Sequence, residues 1–252
     1  MDYAQARLQA RFGQRPDETL WRTLERAHGF AAALEIARSS GLRRWTAAID
    51  PASDSHAIEI SLRAQWRECV GEMARWMPER WQSATLWTSR LPDLPALCHL
   101  ARGEAPLPWM SLDPELRPYA TADAQARDAR LRQEALAFAA PLWPAAGTPA
   151  TGDESFETRL RRAWLEEWRR RWPVRGEAGA LEELIALVES SLEEPMQRAR
   201  QDLMRRLRGL FRRSTLQPAA AFVLLAFTAI DLQRLRAELL RHRLLREAGL
   251  AS

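Results

Sequence analysis

The stretch from Pro218 to Arg246 constrains the fold more than any other part of the chain. Pro218 has the fixed φ and the missing N–H that suit the first turn of a helix. Residues 219–230 are uncharged and almost wholly apolar, and a run rich in leucine and arginine begins at Asp231. A bilayer span requires about 20 apolar residues, whereas an apolar run of about 10–14 is more often a buried helix. We therefore predict a central core helix, with a membrane-inserted hairpin as the alternative.

Apolar residues in the second half of this stretch recur at the spacing of one helix face. Steps of three or four residues separate Leu225, Ala229, Leu232, Leu235 and Leu239. Arginines occupy much of the remaining surface. The first half is apolar all round and must be surrounded by protein, whereas the second half is buried on one side only.

The rest of the chain repeats this helical periodicity and contains no alternating strand pattern. Leucine and tryptophan recur every four residues from Leu160 to Trp172, which indicates helix packing, and the proline-rich stretch 104–118 is predicted to be an ordered loop. The fold should be all-α, a bundle of about nine or ten helices in packed subdomains. The helices are predicted near residues 3–12, 18–28, 30–38, 56–77, 78–89, 93–102, 121–140, 160–172, 178–213 with an interruption at Pro195, and 218–246.

Domain organisation is read from a change in composition near the middle of the chain. Proline, glycine, alanine and threonine dominate residues 141–152, which is the strongest boundary signal in the sequence. We predict an N-terminal helical subdomain at 1–140, a linker at 141–153 and a C-terminal helical subdomain at 154–252 that contains the central apolar helix.

The basic residues are unusual in kind and uneven in distribution. All 37 are arginine, and residues 196–246 hold 12 of them against three acidic residues, a formal charge of +9 in a chain whose total is +4. Such asymmetry is typical of a surface that meets nucleic acid or anionic membrane. The densest cluster supplies our candidate interface residues, Arg205, Arg206, Arg208, Arg212 and Arg213.

Motifs for catalysis, cofactor binding or metal binding are not apparent in the sequence. It has no phosphate-binding glycine loop, no zinc-ligand spacing and no credible nucleophile with its base. The two cysteines, Cys69 and Cys98, follow helical patterns and are predicted to be buried free thiols. We expect a protein that is not an enzyme and that takes no cofactor, metal or small-molecule substrate. The N-terminus lacks the apolar core of a signal peptide, which favours a cytoplasmic location.

Three stretches carry a resemblance to a known family. They are Tyr3 to Arg11, with a Tyr-x-x-Ala-Arg pattern, Leu91 to Leu97 around Asp93, and Leu207 to Leu245. Together they resemble the C-subunit family of V/A-type ATPases, whose eukaryotic V-ATPase member is the d-type subunit. The chain departs from the family at Pro95, where the family has asparagine.

The resemblance implies a non-catalytic part of a rotary motor. Family members are built from three similar helical subdomains around a funnel, and this shorter chain is expected to form an incomplete one. They sit on the cytoplasmic face of the membrane as peripheral proteins between the proteolipid ring and the central-stalk subunits. There they couple the stalk to proton or sodium transport.

Two alternatives to the family resemblance stay open. The first is a helical nucleic-acid-binding protein that uses the cluster from Arg205 to Arg213, although no base-reading fold pattern accompanies that cluster. The second is a peripheral membrane protein or helical scaffold protein outside the ATPase, whose basic cluster docks on acidic protein loops or on lipid headgroups.

Overall fold

A computed structural model describes residues 2–121, 123–133, 137–143, 155–173, 178–192 and 196–247. Within these ranges the chain forms 13 α-helices and no strands, which confirms the all-α prediction. The count exceeds the predicted nine or ten because short helices occupy two of the connections and because the stretch predicted at 178–213 contains two helices, Gly179–Leu192 and Met196–Arg213. None of the described helices combines the length and the apolar character that a bilayer span requires.

The α-helices are α1 Asp2–Gly13, α2 Glu18–Glu25, α3 Phe30–Arg38, α4 Arg43–Thr46, α5 Ser55–Trp76, α6 Glu79–Trp87, α7 Asp93–Ala101, α8 Pro108–Leu112, α9 Ala124–Gln133, α10 Phe156–Arg170, α11 Gly179–Leu192, α12 Met196–Arg213 and α13 Ala219–Glu247. Short 3-10 helices span Thr88–Arg90, Arg117–Tyr119 and Ala137–Leu142.

Local sequence signals fix several helix ends. The Asp17 carboxylate accepts a hydrogen bond from the Leu20 N–H at 2.8 Å and caps α2. Asp54 caps α5 in the same way. Pro78 ends α5 rather than bending it, because a proline disfavours helical backbone in the residue before it and Met77 is extended.

Two stretches differ from the sequence prediction. The predicted loop at 104–118 contains α8 and part of a 3-10 helix, because Pro108 occupies the first turn of α8, where its missing N–H is no loss. Of the helix predicted over 121–140, the described residues form α-helix at Ala124–Gln133 and a 3-10 helix at Ala137–Leu142. Pro195, the predicted interruption, lies outside the described residues.

The chain forms two compact units, of which the first combines Met1–Leu86 with Trp172–Ser252 and the second is Trp87–Arg171. This division differs from the predicted boundaries at 1–140 and 154–252, because α10 packs against α7 and against the 3-10 helix at Ala137–Leu142. The two ends of the chain, by contrast, pack against each other in the first unit. Most of the predicted linker at 141–153 lies outside the described residues.

Helix α13 is the centre of the first unit, with α1, α3, α5, α11 and α12 packed against it. Residues 219–225 are at most 2% exposed, which confirms the prediction of a buried core helix. Phe222 packs near the fully buried Trp81 with a ring-centroid distance of 5.9 Å. Phe227 meets Phe12 of α1 at 5.4 Å.

The second half of α13 buries a face that differs from the predicted one. Leu235 and Leu239 are fully buried as predicted, but Ala229 and Leu232 are partly exposed. The polar residues Asp231 and His242 are buried in their place, at 7% and 3% exposure. His242 Nε2 lies 2.9 Å from the Leu24 carbonyl oxygen, and Asp231 pairs with an arginine, so both buried polar groups have partners.

In the second unit, tryptophans of α6 and α10 form a stack. The Trp87 and Trp164 ring centroids are 6.2 Å apart, and those of Trp164 and Trp168 are 5.9 Å apart. The Trp87 indole N–H also donates to the Trp164 carbonyl at 3.2 Å. The predicted stripe is therefore a packing surface as far as Trp168, whereas Trp172 lies beyond the end of α10.

The buried polar residue Asp93 opens α7 in the second unit. Its side chain is fully buried, and one carboxylate oxygen lies 3.6 Å from the Arg90 guanidinium, which also pairs with Glu115. An aspartate in the first turn of a helix is favoured by the positive end of the helix dipole. Asp93 therefore has a structural role at the start of this helix.

Candidate interaction surface

Helix α12 carries the predicted arginine cluster and is strongly amphipathic. Leu203, Leu207, Leu210 and Phe211 are buried, on the side that packs against α11 and α13. Phe211 stacks on Phe12 of α1 with ring centroids 4.6 Å apart. The apolar side of α12 is thus occupied within the protein, and the helix presents its opposite face to solvent.

All five candidate arginines lie on that exposed face or beside it. Arg205, Arg208 and Arg212 are separated by three and four residues and form one stripe along the helix. Arg206 and Arg213 flank the stripe. We call these five residues the arginine stripe.

The members of the arginine stripe differ in their partners. Arg205 and Arg206 both pair with Asp202 one turn earlier, and Arg213 pairs with Glu183 of α11. Within the described ranges, Arg208 and Arg212 form no ion pair or hydrogen bond through their side chains. The exposed pairs of Arg205, Arg206 and Arg213 add little to stability, and Arg208 and Arg212 have no counter-ion among the described residues.

The arginines of α13 contribute to the +9 charge of residues 196–246, but in the structure they have different surroundings from the arginine stripe. Arg234 pairs with Glu18 at 2.9 Å and with Glu25 at 2.8 Å, and its side chain is only 12% exposed. Arg236 pairs with Glu59 of α5. Two of the arginines that contribute to the +9 charge of residues 196–246 are therefore paired with carboxylates from the N-terminal part of the chain.

The buried centre of this ion-pair network is Asp231. Both of its carboxylate oxygens accept hydrogen bonds from Arg15, at 2.8 and 3.0 Å. Burial raises the pKa of Asp231 above the ordinary aspartate value, although the hydrogen bonds from Arg15 act in the opposite direction. The hydrogen bond from Arg234 lowers the pKa of Glu18. These pairs join α13 to α2 and to the turn between α1 and α2, across most of the sequence.

A second carboxylate, Glu72 of α5, lies between two arginines of the first unit. One of its oxygens is 2.7 Å from an Arg11 nitrogen and 2.6 Å from an Arg44 nitrogen. Partial burial acts to raise the pKa of Glu72, but the hydrogen bonds from Arg44 and Arg11 outweigh it and hold the pKa below the ordinary value of 4.5. Glu72 thus joins α1, α4 and α5.

We predict that Glu72→Gln lowers the free energy of unfolding by about 1–3 kcal/mol at neutral pH, because two charge-assisted hydrogen bonds are weakened. A carboxylate whose pKa is lowered on folding contributes stability above its unfolded pKa and loses it as the pH falls through the folded value. Urea unfolding between about pH 6 and pH 3 should therefore show a shallower loss of stability for the variant than for the wild type.

The matched control is Glu68→Gln, which makes the same change on the exposed side of the same helix. That variant should follow the pH dependence of the wild type. Equal loss of stability in acid for Glu72→Gln and the wild type would contradict the assignment of Glu72 as an ion-pair centre.

Two thiols and a shallow depression are other places where chemistry could occur. Cys69 and Cys98 are buried free thiols, as predicted, and burial raises the pKa of both. No group of three or more His, Cys, Asp or Glu side chains that could hold a metal ion occurs in the part of the chain that the structure describes. The depression lies in the second unit, is about 330 Å³ in volume and is lined by Arg117, Pro118, Thr121, Ala126 and Arg130.

Comparisons with protein-family models, with curated proteins and with solved structures give no match to this chain. Any inference about the function of the protein therefore depends on its own residues and their geometry. The feature with the clearest capacity to bind a partner is the arginine stripe, because two of its members are exposed without a counter-ion among the described residues.

Proposed function

We propose that the protein is a non-catalytic central-stalk adaptor of a rotary V/A-type ATPase. In this role it lies on the cytoplasmic face of the membrane and couples the central-stalk subunits to the proteolipid ring, for the transport of protons or sodium ions. The resemblance of Tyr3 to Arg11, Leu91 to Leu97 and Leu207 to Leu245 to the C-subunit family supports the proposal.

The positions of these stretches in the fold are consistent with a shared role. The first stretch forms most of α1, and the third forms the end of α12 and most of α13; these helices pack together in the first unit. The middle stretch contains Asp93, the buried aspartate at the start of α7. Each resembling stretch thus contributes to the packing of one of the two units.

The observation that carries the proposal is that the arginine stripe lies on α12, which packs against α13, and that ion pairs hold α13 to other parts of the first unit. Helix α12 packs on α13. The pair of Arg15 with Asp231 joins α13 to the turn between α1 and α2, and the pairs of Arg234 with Glu18 and Glu25 join α13 to α2. A part that transmits torque must resist deformation, and ion pairs between distant parts of the chain oppose relative movement of its helices. The stripe then offers a charged surface at a fixed position.

We expect the variant with Arg205, Arg208 and Arg212 all changed to Gln to fold normally, since exposed arginines contribute little to stability. It should sediment less with native membranes that carry the proteolipid ring, and the remaining binding should fall further as salt is raised. The measurement is co-sedimentation of the full chain at several salt concentrations, with circular dichroism as the test of folding.

A matched control changes three other exposed arginines of the first unit, Arg22, Arg26 and Arg43, to Gln. This control removes the same charge from α2, its C-terminal cap and α4, and should sediment like the wild type. Equal sedimentation of the folded stripe variant and the wild type would remove the arginine stripe from the interface. Strong binding to duplex DNA at physiological salt, lost in the stripe variant, would instead favour the nucleic-acid alternative.

A further inference from the structure

The turn between α12 and α13 contains an unusual residue, Leu216. Its φ is 63°, and it is the one non-glycine residue with positive φ in the part of the chain that is described. Residues with a Cβ rarely adopt this left-handed conformation, whereas glycine adopts it without steric cost. A leucine at this position therefore needs an explanation beyond the path of the backbone.

The conformation of Leu216 is held from outside the turn. Its N–H donates to the side-chain oxygen of Gln5 at 3.0 Å, and Gln5 is a buried residue of α1. Within the turn, the Gln217 N–H donates to the Ser214 carbonyl at 2.9 Å, and the Thr215 hydroxyl donates to the Arg212 carbonyl at 2.8 Å. The turn is thus a defined structure that holds Leu216 in one place.

Packing within the protein does not account for the leucine side chain. Leu216 is 49% exposed, so its unfavourable backbone conformation is not offset by full burial of the side chain. Glycine would serve the turn better if folding were the only requirement. The exposed side chain is best explained by a contact outside the protein.

The charges next to Leu216 indicate what that contact is. The turn directly follows the last helical residues of the arginine stripe, and Arg208 and Arg212 lie on the exposed face without a counter-ion among the described residues. The apolar side of α12 is occupied by α11 and α13. Leu216 therefore forms an apolar tip at the end of a cationic stripe.

We propose that the turn at 214–217 and the arginine stripe dock on an anionic lipid surface. Leu216 enters the boundary between headgroups and acyl chains, and Arg208 and Arg212 bind lipid phosphates. A lipid surface accepts an apolar tip and cations together, whereas binding to nucleic-acid phosphates uses the arginines alone. This docking goes beyond the adaptor role and does not depend on a proteolipid ring.

The test is sedimentation of the full chain with two kinds of protein-free vesicles, one of phosphatidylcholine alone and one of phosphatidylcholine mixed with phosphatidylserine. We expect the wild type to bind the phosphatidylserine vesicles and to dissociate as salt is raised. Arg208→Gln with Arg212→Gln should weaken binding about 25-fold, since each arginine near an anionic surface contributes about fivefold. Leu216→Gly should weaken it about tenfold and should fold at least as well as the wild type.

The controls make the same chemical changes elsewhere. Leu112→Gly alters another exposed leucine, at the end of α8, and Arg26→Gln with Arg43→Gln removes an equal charge from the first unit. Both should bind within about twofold of the wild type, because neither site belongs to the proposed surface. Leu216→Asn is a second variant that tolerates positive φ and removes the apolar tip, should the glycine variant fail to fold.

Three results would overturn the lipid proposal. One is equal binding of the wild type to both kinds of vesicle. Another is unchanged binding of the folded Leu216 variants, which would show that the arginines alone bind the vesicles, as they would bind any polyanion. The third is duplex DNA binding with no vesicle binding. Each of these results leaves co-sedimentation with ring-bearing membranes to be judged separately, so failure here is distinguishable from failure of the adaptor proposal.

Discussion

Replacing Asp231 with alanine is expected to lower the free energy of unfolding by about 3–5 kcal/mol. The change leaves the Arg15 guanidinium without its carboxylate in a site where both side chains are only about a tenth exposed. Arg15 also lies over the Phe227 ring, 4.1 Å from its centroid, so apolar surroundings confine the charge. An uncompensated charge in such a site is costly, because water cannot replace the lost partner.

Urea unfolding of Asp231→Ala, followed by tryptophan fluorescence, measures this loss. The double variant Arg15→Met with Asp231→Leu provides the control, since replacing a buried ion pair by apolar residues is often close to neutral. We expect the double variant to recover most of the stability that the single variant loses. An unchanged urea midpoint for Asp231→Ala would contradict the assignment of this pair as a stabilising link between α13 and the turn that follows α1.

Replacing Leu235 with alanine should lower the free energy of unfolding by about 2–5 kcal/mol, through lost burial and the cavity that remains. Leu235 is fully buried on α13, between Asp231 and Leu239 on the same face. The same urea titration measures the effect. Leu232→Ala is the matched control, because it makes an identical change on a partly exposed side of the helix and should cost about 1 kcal/mol or less. A larger loss of unfolding free energy for Leu232→Ala than for Leu235→Ala would contradict the assignment of Leu235 to the buried face of α13.

Local patterns in the sequence predicted the helices well. The capping aspartate Asp17, the helix-ending Pro78 and the long apolar run of α13 each act within a few residues, so their effects are readable without knowledge of the fold. The arginine stripe belongs to the same class, because spacings of three and four residues place side chains on one helix face. Arg205, Arg208 and Arg212 have this spacing, and all three are exposed in the structure.

Features that depend on distant parts of the chain were not predictable in this way. Asp231 reads as a surface residue, and its burial depends on Arg15, 216 residues earlier. Arg234 likewise reads as part of a solvated cationic face, yet Glu18 and Glu25 neutralise it. The assignment of α10 to the second unit depends on contacts with α7, which composition at 141–152 does not reveal.

The positive φ of Leu216 was not predictable from the sequence, because no neighbouring residue indicates that this leucine adopts a left-handed backbone conformation. Its hydrogen bond to Gln5 joins residues 211 positions apart. The sequence shows that the segment 196–246 is positively charged. It does not show which of its arginines form ion pairs within the protein and which face solvent, because that depends on the fold.

The adaptor role is tested most directly by purifying the tagged full chain from its native membranes and identifying the proteins that co-purify. Our account predicts the proteolipid and the central-stalk subunits of a rotary ATPase, recovered in a constant ratio to the chain and reduced when the arginine stripe is neutralised. Recovery of the folded chain with none of those proteins, from membranes in which the ATPase is present and intact, would contradict it.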